Sequence, residues 1–155
     1  MSYRQSRNLE ASIGDKINRQ LTTDGWTGIR VEKDFVKAVK GDLPCISIGV
    51  NSIDPIRLEI GSKTNLKYYE ISIRIIATSD GNREDLSDWL LDLIEEDINY
   101  YVYTITSGVV SAKVLSGKIC IDEITRHEKE LQNTDNLSQE DKYRNITVIS
   151  CHIAS

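Results

Sequence analysis

From Leu66 to Thr78 the chain alternates: Tyr69, Ile71, Ile73, Ile75 and Ala77 fall on one side of an extended backbone, Tyr68, Glu70, Ser72 and Arg74 on the other. A period of two is the period of a strand, because successive side chains point to opposite faces of a sheet. A strand with four such large side chains on one face needs neighbouring strands for its backbone and a cover for that face. The other face ends in the apolar Ile76, so it is expected to meet water or a partner protein.

The strand stops at Ser79-Asp80-Gly81-Asn82, residues that favour turns and helix starts. Asn82, with Asp85 three residues on, is expected to cap a helix running over 82–99. Leu86, Trp89, Leu90, Leu93 and Ile94 recur at helical spacing and mark its buried stripe, with acidic residues on the remainder. A first amphipathic helix is expected from Leu9, Ile13, Ile17 and Leu21, ending near Thr23-Asp24-Gly25, where glycine can adopt the left-handed conformation. Residues 28–43 suit a short helix or a strand equally well.

Beyond Pro44 period two returns. Ile46, Ile48 and Val50 predict one strand, Asn51 to Pro55 a turn, and Leu58 with Ile60 a second strand. Past the tyrosines at 100, 101 and 103 and a Ser107-Gly108 turn, Val109 to Ile124 predicts one or two strands broken near Ser116-Gly117. Arg126 to Lys142 reads as a polar surface loop. The closing strand, Tyr143 to Ile153, has Ile146 and Val148 on one face and Ile149, Cys151 and Ile153 on the other, the pattern of a strand buried on both sides. The sum is an α+β fold: a mostly antiparallel sheet with an N-terminal helix and a central amphipathic helix packed on one face, forming a single domain over 1–155.

Composition narrows the function. A chain of 155 residues that is 39% hydrophobic can bury a core without metal or disulfide staples. Cys45, Cys120 and Cys151 are odd in number and set among apolar neighbours, as reduced packing residues of a cytoplasmic protein are. Nineteen Lys and Arg against 24 Asp and Glu give a net charge of −5, which argues against a broad basic face for nucleic acid. No apolar run approaches the roughly 20 residues that a membrane helix needs, so no membrane partner is expected.

The search for chemistry leads to no catalytic residue, cofactor or metal. His127 and His152 are the only histidines, and no cysteine falls in a metal-ligand spacing. His152 and Cys151 are adjacent in a strand, so they point to opposite faces and cannot act as base and nucleophile. The glycines form no phosphate-binding pattern. Glu84, Asp85 and Asp88 are accounted for by their place in the first turns of a helix. Two surfaces instead look suited to assembly: the polar side of the long strand with Tyr68, Glu70 and Arg74, and the cluster Tyr100, Tyr101 and Tyr103.

The stretch Arg57-Leu58-Glu59-Ile60-Gly61-Ser62, followed by Lys67 to Thr78 and then Ser79-Asp80-Gly81-Asn82-Arg83-Glu84-Asp85-Leu86-Ser87-Asp88-Trp89-Leu90, resembles the tail terminator or neck proteins of tailed bacteriophages. In that family a strand of the form Ile-x-Ile-x-Ile-x-Ala passes through a small polar turn into an Arg-x-Asp-Leu-x-x-x-Leu helix. The likeness covers residues 44–105. It implies a non-enzymatic virion protein, assembled in the host cytoplasm, whose copies form a hexameric ring that caps the tail tube. The implied partners are the tail tube protein and the head–tail connector or adaptor protein, with a sheath protein as a further candidate, while DNA passes through the lumen unbound. A head-closure or adaptor protein of the same neck is the nearest alternative.

Two readings from other classes stand beside it. A small ligand-binding or hydrolytic domain would have a pocket between helix 82–99 and the sheet, a cleft holding a carboxylate with a strongly perturbed pKa beside a polar partner, for instance Asp122 or Glu123 near His127. A single-stranded nucleic-acid binder would use Tyr68 with Arg74 and Lys67.

Overall fold

The computed structural model describes residues 4–33, 44–57, 65–130 and 143–154. The expected strand at Leu58 and Ile60, most of the ambiguous segment 28–43 and residues 131–142 of the expected polar loop fall outside them. Helix α1 is Gln5–Thr23, β1 Arg30–Glu32, β2 Cys45–Arg57, β3 Asn65–Ile76, α2 Asp80–Ile94, β4 Ile98–Thr106, β5 Val109–Lys129 and β6 Arg144–Ala154. The strands form one sheet in the order β1-β2-β3-β6-β5-β4, antiparallel except for the short β1–β2 pair. The α+β expectation stands.

The core follows the alternation. Leu9, Ile13, Ile17 and Leu21 of α1, Leu86, Leu90, Leu93 and Ile94 of α2, and Tyr69, Ile71, Ile73 and Ile75 of β3 belong to one buried cluster. Ile46 and Ile48 of β2, Ala77 just past β3, Ile98 and Tyr100 of β4, Ile119 of β5, and Ile149 and Cys151 of β6 complete it among the described residues. Strand β6 lies between β3 and β5, and Arg144 to Ile149 are buried continuously, as its two apolar faces predict.

The sheet curls. Helix α1 packs against β1 and β2 at one end of the strand order and against β4 at the other, so the two ends approach a single helix. The curl has a local cause in five single-residue bulges, at Asn51 in β2 and at Ser111, Ser116, Asp122 and Thr125 in β5. Each extra residue bends its strand and increases its twist. All five are short and polar, and such side chains can bond where the ladder is interrupted. Asn51 Nδ2 donates to Ser72 Oγ and Glu70, Ser111 Oγ to the Thr104 carbonyl at 3.2 Å, and Thr125 Oγ1 to the Val148 carbonyl at 3.1 Å.

These bulges correct the expected elements. The segment Asn51 to Pro55 is no turn, since β2 runs through it with one extra residue. Ser116-Gly117 does not break β5, and Arg126 to Lys129 continues that strand rather than opening a loop. A bulge shifts the alternation by one residue, which in sequence looks like an interruption. The cap of α2 is also earlier than expected: Ser79 Oγ accepts the Asn82 N–H at 3.1 Å, and the helix ends at Ile94. Helix α1 ends where expected, with Gly25 at φ +81°. The β4–β5 hairpin turns on Ser107 and Gly108, both at positive φ, a turn whose twist matches that of its strands.

Candidate interaction surfaces

The seam between β2 and β4 is closed by helix side chains. Strand β4 is an edge strand, and its outward N–H groups at Tyr101 and Tyr103 donate to Ser12 Oγ at 3.0 Å and Asn8 Oδ1 at 3.3 Å. Ser12 Oγ in turn donates to the Tyr101 carbonyl at 3.5 Å, and Asn8 Nδ2 to the Tyr100 hydroxyl at 3.4 Å. On the other side Glu10 accepts the Val50 N–H at 3.0 Å, beyond the point where β1 stops pairing with β2. Asn8 and Ser12 are buried, so these polar residues on the inner side of α1 do what a neighbouring strand would do.

The expected polar face of β3 is mostly covered. Ser72 and Ile76 are 2% and 0% exposed, and Arg74 pairs with Glu130 at 3.3 Å. Arg74, like Tyr68, is half-buried. Glu70 is exposed, and half-buried Tyr68 lies edge-on to His152 with ring centroids 5.8 Å apart. The coverage follows from position, since β3 sits between β2 and β6 and faces their side chains on both flanks.

The tyrosine cluster divides as well. Tyr100 is 4% exposed and belongs to the core, so it offers no surface. Tyr101 and Tyr103 are half-buried, stacked edge to face at 6.3 Å, with the Lys113 ammonium 4.6 Å over the Tyr101 ring. Burial raises the Tyr103 phenol above its ordinary value.

His152 and Cys151 do point apart. Cys151 is in the core, where burial pushes its thiol up to about 12, while His152 Nδ1 lies 2.8 Å from Asp122. The His152 ring of that pair packs edge-on to Tyr68. His127 bonds Thr147 Oγ1 at 2.8 Å and lines a groove with Arg83, Glu84, Ser87 and Asp88. Asp122 and Glu123 line another groove, so neither is brought beside His127, whose own groove between α2 and β5 holds the carboxylates Glu84, Asp88 and Glu128. Among the described residues no group of three or more His, Cys, Asp or Glu is placed to hold a metal ion, and no described helix is long and apolar enough to cross a membrane.

Two features escaped the sequence-based choice of surfaces. The outer part of the β4–β5 hairpin exposes Val109 (68%), Val110 (55%), Val114 (63%) and Leu115 (58%). Near the hairpin's root, a groove of about 340 Å³ has Ile94, Ile121 and Ile124 beside Glu95, Glu96, Asp97, Asp122 and Glu123. A signal for the first was present in the sequence: from Ile98 to Ile121 the chain has no carboxylate, its longest such run.

No family model matches the sequence, and no curated protein matches it. Among solved structures the fold is similar to that of a chain in the virion of a native gene transfer agent particle, with a TM-score of 0.50 and 14% sequence identity. The superposition covers 98% of this chain and 98% of the other. The likeness establishes a shared fold over nearly the whole of both chains.

Proposed function

We propose that this chain is a virion structural protein, a tail terminator or neck subunit whose copies form a ring of six that caps the tail tube and joins it to the head connector while DNA passes through. The observation that carries the reading is the end-to-end fold likeness to a virion chain of a gene transfer agent, covering 98% of each. The strand-turn-helix pattern of residues 65–94, which resembles the tail terminator family, adds to it, because the structure forms those elements in that order. Six copies at −5 each would carry about −30, a charge that disfavours retention of DNA wherever it faces the lumen.

A closed ring needs a heterologous interface, each subunit presenting two different patches. Light scattering coupled to size exclusion, with negative-stain images of the same peak, tests ring formation directly. Sedimentation with purified tail tubes then tests tube capping. Rings of about six that bind tube ends are the expected result. Binding to portal assemblies but not to tubes would move the chain to the head-closure or adaptor role, and the absence of binding to either would overturn the neck reading.

A further inference from the structure

The charge of this protein is unevenly placed, and so is its exposed apolar surface. Within an acidic chain, the hairpin Ile98–Thr106 and Val109–Gly117 has no Asp or Glu, and it carries Lys113. Its outer part leaves Val109, Val110, Val114 and Leu115 more than half exposed. Among the described residues the other large apolar side chains left exposed are Ile53 and Ile124, and Ile124 lies in the acidic groove at 37% exposure.

Knob and groove match each other in kind. The groove sets half-buried Ile121 and exposed Ile124 beside carboxylates, with the core residue Ile94 beneath, and so pairs apolar with polar surface as specific interfaces do. Glu96, Asp97 and Asp122 already have partners in Lys16, Lys118 and His152, whereas Glu95 and Glu123 stand exposed. An acidic segment entering there would meet like charge. The hairpin is the long segment of this chain that brings aliphatic side chains without bringing a carboxylate, so charge complementarity favours a second copy as the occupant. With the strand rise of about 3.3 Å per residue, the eight steps from Gly117 to Val109 let the tip reach about 26 Å from its root. The tip at Val109 and Val110 and the groove at Ile121 to Ile124 lie on opposite sides of that root along β5, so the two patches sit apart on one subunit.

We infer that the β4–β5 hairpin of one copy seats in the groove between the end of α2 and β5 of the next copy, its aliphatic side chains against Ile121 and Ile124. The contact is head to tail, since knob and groove are different patches of one subunit, and head-to-tail contacts close into rings when the rotation allows. The inference deepens the ring-forming reading and rests on it.

The test uses two variants of the full chain, each blocking one patch: Val114→Glu puts a carboxylate on the knob, and Ile124→Glu puts one in the groove. Circular dichroism and thermal unfolding of each, matching the parent, exclude a folding defect. Each variant alone is expected to lose the ring. Mixed one to one they are expected to give dimers, because an intact groove on one meets an intact knob on the other and the chain of contacts stops there. Rings that persist in either variant, or a mixture that stays monomeric, would overturn the inference. Rings that persist while tube binding is lost would assign the hairpin to the tube subunit instead and overturn it as well.

A second measurement covers a parent that is monomeric in solution. Val114→Cys combined with Glu123→Cys, in a Cys120→Ser background, is expected to form intermolecular disulfides on mild oxidation at high concentration. Failure to cross-link would overturn the contact. Rings that form through this contact yet bind no tube would overturn the neck assignment and leave the contact standing.

Discussion

Ser12 of helix α1 takes the backbone N–H of Tyr101 on its hydroxyl at 3.0 Å, so a helix side chain occupies the place of a neighbouring strand along the edge of β4. Asn8, one turn earlier, does the same for Tyr103 at 3.3 Å. Both are buried, and replacing either by Ala leaves a backbone donor without its partner. Ser12→Ala and Asn8→Ala are each expected to lower unfolding stability by about 1–3 kcal/mol, the cost of an unsatisfied buried polar group. Urea unfolding measures this. A loss within about 0.5 kcal/mol for both, the range of ordinary surface substitutions, would mean that water satisfies the edge.

The start of α2 separates two candidate caps. Ser79 Oγ accepts the N–H of Asn82, while the sequence spacing favours Asn82 itself. Ser79→Ala is expected to cost about 1 kcal/mol, the usual loss of a helix N-cap. Asn82→Ala should cost less than that, because its backbone, not its side chain, takes part in the cap. The reverse ranking in parallel denaturation curves would restore the sequence-based assignment.

What was legible in the sequence was whatever repeats without interruption. The α1 stripe from Leu9 to Leu21, the alternation of β3 and the two-faced pattern of β6 all fold as their periods dictate, because burial of a continuous apolar face outweighs local preferences. Two misread strands share one cause. Asn51 in β2 and Ser116 in β5 are bulges, and each looked like the end of a strand because it shifts the alternation by one residue. Tyr100 was grouped with Tyr101 and Tyr103 by proximity in sequence, yet alternation sends it to the core and its neighbour to the other side. The hairpin's exposed aliphatics have the pattern of an ordinary strand, since periodicity does not say how far a strand extends beyond the body of the sheet.

The two helices are linked at one point by an exposed hydrogen bond. The Trp89 indole N–H donates to Asp24 Oδ2 at 2.7 Å, and that bond, with a second from Gln20, holds the Asp24 carboxyl below its ordinary 3.8. A carboxyl depressed in the folded state stabilises it above the unfolded value, and that contribution is lost as pH falls through the folded one. Trp89→Phe removes the donor with most of the ring retained. Its stability deficit relative to the parent is therefore expected above about pH 4 and to shrink as the pH is lowered further. A deficit that stays constant through the acid range would show that Trp89 acts by packing alone.

The cysteines give a test of the core that needs no substitution. Cys45 and Cys151 are fully buried, while Cys120 on β5 is half-buried. Burial raises the thiols of Cys45 and Cys151 above their ordinary 9.0, that of Cys151 to about 12, so the neutral form is favoured in the fold. The thiolate is the reactive form, and a thiol reagent at pH 8 should therefore modify Cys120 first, with Cys45 and Cys151 reacting only on unfolding. The same shift has a sign for stability. In the unfolded chain these thiols ionise above about pH 9, so their contribution is complete below that pH and falls as pH rises from about 9 toward 12. Cys151→Ala removes this alkaline loss along with some packing, and its unfolding free energy should fall less steeply than the parent's between pH 9 and 11. Equal slopes, or rapid labelling of Cys151 in the native protein, would show that the sheet interior opens to solvent at β6.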